Sequence, residues 1–255
     1  AAKREDETGR KGLVKREVIR VVTPGTITNS QALEESKNNY LMGIVYTDGI
    51  FGISVADVST GDYLVTEVKS ERNLIDEIYK FSPSEIICNE AFYMSGIDLD
   101  DLKNRLHAVI SDLDNRFFSD EFCRKLLRDH FHVENLEGLG LSDYETGTIA
   151  AGAVLQYLYE TQKNSLEHLT RITPYTTGQF MMLDTSTRRN LELIETLREK
   201  QKRGTLLWVL DKTKTAMGAR MLRSFVEQPL IHKEEILPRW GKRWARSSDG
   251  RPWRS

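Results

Sequence analysis

Between Tyr40 and Val68 the chain alternates short apolar runs with tight polar turns. The runs "YLMGIVY" (40–46), "IFGISVADV" (50–58) and "DYLVTEV" (62–68) are separated by Thr-Asp-Gly and Ser-Thr-Gly. Asp-Gly and Thr-Gly supply the backbone freedom that hairpin turns need, so the pattern predicts a meander of three antiparallel strands. The period then lengthens: in "SERNLIDEIYKF" (70–81) Leu74, Ile75, Ile78 and Phe81 recur at helical spacing, with Ser70 as N-cap. Beyond it, 83–90 reads as a short buried strand, 98–106 as helix, 107–113 as strand and 119–131 as helix. Three hairpin strands followed by alternating helix and strand predict an α/β domain with a mixed sheet.

After Gly140 the strand pattern fades. "SDYE" (142–145) has the spacing of a capping box and opens a long helix in which Ile149, Ala153, Leu155 and Leu158 can share a buried stripe. An extended piece around 172–183 follows. A helix is then expected over 186–203, with Leu191, Ile194 and Leu197 inward, and two more over 205–211 and 215–228. In the last of these Met217, Met221, Leu222 and Phe225 are spaced to bury one face, while Gly218 would admit a neighbouring helix. The second half therefore reads as all-α.

Composition narrows the class. The chain has 255 residues, 39% of them hydrophobic and 29% charged, in the range of globular proteins. No apolar run approaches the ~20 residues of a membrane span, and the polar start "AAKREDETGRKG" lacks the apolar region of a secretory signal. Cys88 and Cys123 are the only cysteines and form no CxxC pair, which fits a reducing cytoplasm. Net charge is −2, but residues 238–255 carry six basic side chains against the single acid Asp249. The remaining, acidic body is a poor candidate for wrapping DNA unaided.

Candidate chemistry is sparse. "LDKTKTAMGARMLRSFVEQPL" (210–230) is rich in Lys, Arg and Thr, but Gly218 is followed by Ala219 and Arg220, so it cannot form a P-loop. It reads as a packed helix with a charged back. The order of the α/β half is that of ribonuclease-H-like folds, whose nucleases hold two metal ions with carboxylates, one in the middle of the first strand. Here that strand has no carboxylate, and Asp48 and Asp57 sit at turns. His130-x-His132, near Cys123 and Asp129, reads as a helix-end pair rather than a metal site, and Cys88 reads as core. No catalytic, cofactor-binding or metal-ligating residue is assigned.

Three stretches carry a family resemblance. "REVIRVVTPGT" (16–26) resembles the junction that leads from the mismatch-binding domain into the connector domain of MutS-family DNA mismatch-repair proteins. "GIVYTDGIFGISVADVSTGDYLVTEV" is similar to the opening meander of that connector, and 181–231 is similar to the start of the family's core domain. The last match rests on Asp-x-x-Thr-x-x-Asn-Leu-Glu-Leu and on Leu-Asp-x-Thr-x-Thr-x-Met-Gly-x-Arg. The resemblance implies a ribonuclease-H-like connector with a mixed sheet, without catalytic carboxylates, followed by an incomplete helical core domain. It divides the chain into a remnant of the mismatch-binding domain and linker (1–25), the connector (26–138), the opening of the helical core (139–237) and a non-family tail (238–255). It implies structural roles for Asp184, Arg188 and Asn190 at the connector–core junction and for Asp211, Thr213, Thr215, Gly218 and Arg220 at the helix turn.

The intact family is a homodimeric ATPase that uses ATP and Mg²⁺, binds mismatched double-stranded DNA and recruits a MutL-like protein. The resemblance places none of the aromatic wedge, the clamp or the Walker-type ATP site within this chain. The chain is then expected to link DNA binding to the ATPase and to the MutL-like partner, in the cytoplasm, without activity alone. Alternatives are a stand-alone partner-docking module and a metal-dependent nuclease. The tail places Trp240, Trp244 and Trp253 among arginines and abandons the apolar period in mid-helix. It reads as a change of frame after about Ile236, the alternative being a basic aromatic tail that stacks on single-stranded nucleic acid.

Overall fold

The computed structural model describes residues 21–27, 38–162, 166–181, 183 and 185–237. Asp184, residues 1–20 and the tail at 238–255 lie outside them. The chain divides into two compact units, Ala1–Tyr175 and Thr176–Ser255.

The first unit is built on the expected meander. Strands β1 (Leu41–Thr47), β2 (Ile50–Asp57) and β3 (Asp62–Val68) pair antiparallel, with Thr47 opposite Ile50 across the Asp48-Gly49 turn. Both turn residues have positive φ, 52° and 80°, the pair of left-handed positions that a two-residue hairpin requires. Helix α1 (Glu71–Phe81) starts at Ser70, whose hydroxyl accepts from the amide of Asn73 at 3.2 Å. It leads to β4 (Glu85–Cys88), which lies parallel to β1. Short helices α2 (Glu90–Tyr93) and α3 (Leu99–Leu106) precede β5 (Val109–Asp112), parallel to β4. With β6 (Thr173–Pro174) beside β3, the six-stranded sheet has the order β5-β4-β1-β2-β3-β6.

Helix α5 (Glu145–Gln162) covers this sheet, and α4 (Asp120–Phe131) packs against α5. The core joins Leu41, Ala56, Tyr63, Val65 and Ile87 of the sheet to Leu127 of α4 and Ala151, Val154, Leu155 and Leu158 of α5. α5 is buried nearly all round rather than along one stripe, because the sheet takes one side and α4 another. The approach is close enough to exclude side chains from β2: a Cβ on Gly52 would stand 2.3 Å from the Thr146 backbone. The first compact unit continues past the expected boundary at 138/139. α5 carries the lid of the sheet's own core, and the first compact unit runs to Tyr175.

Two further expectations change. α5 begins at Glu145 with Tyr144 accepting the first helical bond from Thr148, so Ser142 lies outside the cap. A carboxylate from the sheet does the capping: Glu67 accepts from the amide of Gly147 at 2.8 Å. In the second unit the helix expected over 186–203 is only α6 (Thr185–Asn190). The chain then turns through left-handed Glu192 (φ 45°) and Lys200 (φ 49°). The turn is held by Gln201 carbonyl accepting from Thr196 (3.0 Å) and by the Glu192 carboxylate accepting from Leu197 (2.8 Å). Leu193 is buried, whereas Leu191 and Leu197 are exposed, so the apolar period that suggested a helix there is not the one the fold uses.

Helices α7 (Leu206–Leu210) and α8 (Ala216–Glu227) follow, near their expected positions. Thr205 and Thr215 cap them, accepting from Trp208 and Gly218 at 3.1 Å each. α8 buries none of its residues completely: Met217 is 81% exposed and Met221 58%, while Leu222 and Phe225 are half-buried. The apolar face expected to be inward is thus largely open.

Candidate functional site: anchored chain ends and the helix turn

Glu85 opens β4, and its side chain is buried beneath the incoming segment 21–27. One carboxylate oxygen accepts from the Thr23 hydroxyl (2.6 Å) and the Gly25 amide (2.9 Å), and the other accepts from the Tyr157 hydroxyl of α5 (2.6 Å). Pro24–Thr26 form a single 3-10 turn, pre-set by Pro24 at its first position. A Cβ on Gly25 would stand 2.9 Å from the Glu85 Cβ, so the turn fits here only without a side chain. Asn39 donates to the Pro24 carbonyl (2.8 Å), Gln162 to the Thr26 carbonyl (2.9 Å), and the Val21 amide to the Thr161 carbonyl (2.8 Å). Burial pushes the Tyr157 hydroxyl up, and the carboxylate beside it adds to the shift.

A matching cluster stands where the chain leaves the unit. Glu77 and Lys80 of α1 are both buried and paired at 2.9 Å. The Tyr175 hydroxyl donates to Glu77 (2.6 Å), and Lys80 Nζ lies 4.4 Å from the centre of its ring. Burial raises the Tyr175 hydroxyl well above its ordinary value. Neither cluster was anticipated from sequence. The available signal was an acid inside an apolar context, at the head of a β-like run for Glu85 and among the helix-face residues Leu74 and Ile78 for Glu77.

The residues at the expected helix turn come together locally. Asp211 accepts from Lys202 Nζ (2.7 Å) and from both the hydroxyl (2.6 Å) and the amide (3.1 Å) of Thr213. The Lys202 ammonium first, then Thr213, hold its carboxyl down at about 2. A Cβ on Gly218 would meet the Thr215 hydroxyl at 3.1 Å and Thr213 Cβ at 3.4 Å, so its neighbours are these local threonines. Arg220 lies half-buried on α8, Arg188 donates to the Leu183 carbonyl at 2.9 Å, and Asn190 ends α6 on the exposed surface.

The chemistry-bearing residues of the first unit are occupied structurally. Asp57 is fully buried and accepts from the Asn39 amide (3.1 Å) and from the amide (2.8 Å) and hydroxyl (2.6 Å) of Ser59. Among the described residues no group of three or more His, Cys, Asp or Glu is placed to hold a metal ion. The two-metal arrangement of ribonuclease-H-like nucleases therefore does not fit these residues. His130 Nε2 must donate to the Leu169 carbonyl (2.9 Å), since a carbonyl can only accept. In the neutral ring Nδ1 then accepts from the Tyr159 hydroxyl (2.7 Å). His132 ends α4 in the left-handed conformation. Cys88 and Cys123 are buried, and burial pushes both thiols up to about 12, which leaves them unreactive core groups.

The sheet order, the two anchored ends and the capped helices that follow define an α/β unit followed by a second, helical unit. Residues 39–170 match the family model for MutS domain II, and residues 186–241 match that for MutS domain III. The chain belongs to the MutS family of DNA mismatch-repair proteins. It is 62% identical over 236 residues to the DNA mismatch repair protein MutS of Lachnoclostridium phytofermentans, covering 92% of this chain and 25% of the relative. The MutS proteins of Acetivibrio thermocellus (46% over 238 residues) and Ruminiclostridium cellulolyticum (42% over 235) match 92% and 91% of this chain, and 27% of their own lengths. The chain thus spans about a quarter of the length of these relatives.

Proposed function

We propose that this chain is the connector and opening core segment through which a MutS-family dimer passes the state of its mismatch site to its ATPase and to a MutL-like partner. The observation that carries the reading is the succession of domain II and domain III matches on one chain, in that order. On this reading mismatched double-stranded DNA is the ligand of the assembled homodimer, in the cytoplasm. ATP and Mg²⁺ act in parts of the family's proteins outside these residues. Arg188, Asn190, Asp211, Thr213, Thr215, Gly218 and Arg220 then serve the geometry of the chain turns, as does Asp184. The hydrogen bonds of Asp211 and Thr215 at the turn before α8 support that assignment.

The test uses the whole chain. Immobilised and mixed with the MutL-like protein of the same source, it should retain that protein; no retention by the folded chain rejects the docking role. The same preparation should neither hydrolyse ATP nor prefer a mismatched duplex to a matched one. A mismatch preference would put recognition inside this chain and overturn the reading.

A further inference from the structure

The two ends of the first unit are fastened by the same chemistry, used twice. At the entry, Glu85 gathers Thr23, Gly25 and Tyr157; at the exit, Glu77 gathers Tyr175 and Lys80. Each carboxylate is only 2% exposed, and each accepts a tyrosine hydroxyl at 2.6 Å. We propose that Glu85 and Glu77 are positioning residues that turn this unit into a stiff link. Glu85 ties the incoming segment to β4 and α5, and Glu77 ties the outgoing segment to α1 where the Tyr175 amide already bonds β3, so that a displacement of either end reaches the sheet instead of being lost as fraying. The proposal rests on the reading of the unit as a link between DNA-binding and ATPase parts.

Sealing the core does not explain these acids, since a buried charge is costly to desolvate and an apolar side chain would fill the space at less cost. What a carboxylate adds is register. At the entry one oxygen takes both the Thr23 hydroxyl and the Gly25 amide. A slip of one residue would bring up Pro24, which has no N–H to offer, or put a side chain where Gly25 alone fits against Glu85. At the exit β6 is two residues long, too short to hold a sheet edge by itself. Tyr175 is instead held at both ends, its amide donating to the Val65 carbonyl (2.9 Å) and its hydroxyl to Glu77. Lys80 balances the charge and lies against the ring, so the exit residue is gripped on its backbone, its ring and its oxygen.

Amide hydrogen exchange on the full chain tests this. Glu85→Ala should speed exchange at Val21 and Gly25 by about tenfold or more while Tyr175 keeps its protection. Glu77→Ala should do the reverse. Tyr157→Phe and Tyr175→Phe should loosen the same ends more weakly. Glu85→Gln should restore most of the entry's protection, because its oxygen can still take the two donors of the segment while its amide donates to the Tyr157 oxygen. Unchanged exchange at both ends overturns the proposal. So does loss of protection throughout the unit in the Phe and Gln variants, which would make these ordinary core groups. Failure to retain a MutL-like partner, with the end-specific exchange intact, would instead remove the link reading and leave the anchors standing.

Discussion

In the first unit Leu41, Ile44, Ile53, Val65, Ile87, Val154 and Leu155 are all 0% exposed, drawn from strands and a helix far apart in sequence. In the second, Leu193 and Leu207 are the only buried apolar side chains among the described residues, while Leu206, Trp208, Val209 and Leu210 of α7 are each 45% exposed or more. The sheet gathers long-range apolar surface; the helices after it are set by local devices, the Thr205 and Thr215 caps and the Asp211–Thr213 turn. Stability in one unit should therefore reside in side-chain volume, and in the other in a few polar contacts near helix ends.

The largest effect should come from Gly52→Val, which forces β2 against the Thr146 backbone. A cost of about 3 kcal/mol or more, read as loss of the first unit's cooperative melt, is expected. Lys80→Ala should cost about 3 kcal/mol, since it leaves Glu77 buried without its cation. Denaturant titration checks it, and a loss under about 1 kcal/mol would mean that water reaches Glu77. Thr205→Ala should cost about 1 kcal/mol and affect the second unit alone, seen in the fluorescence of Trp208 if the tail tryptophans are first replaced.

Smaller still is the pH response of the first unit. Burial holds His130 below its ordinary value, with His132 and His168 adding to the shift and the Leu169 carbonyl opposing it. The unfolded chain then takes up the proton first, so stability is complete above about pH 6.5 and falls as pH drops below it. The loss should be under about 1 kcal/mol for this half-exposed ring, and His130→Gln should remove the slope from melts between pH 7.5 and 5.5. Last, Asp211 is depressed to about 2, chiefly by Lys202, so its contribution is present above about pH 4 and lost as pH falls toward 2. Asp211→Asn should flatten the helical signal of the second unit across that window, and Met217→Ala should change nothing measurable.

What the sequence revealed follows the same division. The meander was legible because Asp48-Gly49 and alternating β-branched residues are local signals, and α1 because Ser70 and the Leu74, Ile78 and Phe81 face are too. α5 was legible as a helix, but its packing on the sheet was not. Its Ala and Gly residues mark close packing, yet nothing in them says that the partner is a sheet built a hundred residues earlier. The break after Asn190 was missed because Leu191, Ile194 and Leu197 keep a helical period, while the left-handed turn at Glu192 depends on tertiary contacts such as the Leu207 amide donating to the Leu193 carbonyl. The acids at 77 and 85 drew no reading because their partners, Tyr175 and Thr23, lie far away along the chain.

The bond from Gln162 to the Thr26 carbonyl spans 136 positions. During synthesis the entry segment leaves the ribosome before the end of α5 that receives the Thr26 carbonyl exists. At typical elongation rates the wait is roughly 7–27 s. Through that interval Asn39 and then Glu85 can already hold the Pro24–Thr26 turn, while the Thr26 carbonyl waits for Gln162, so the entry is locked in full only once α5 is complete.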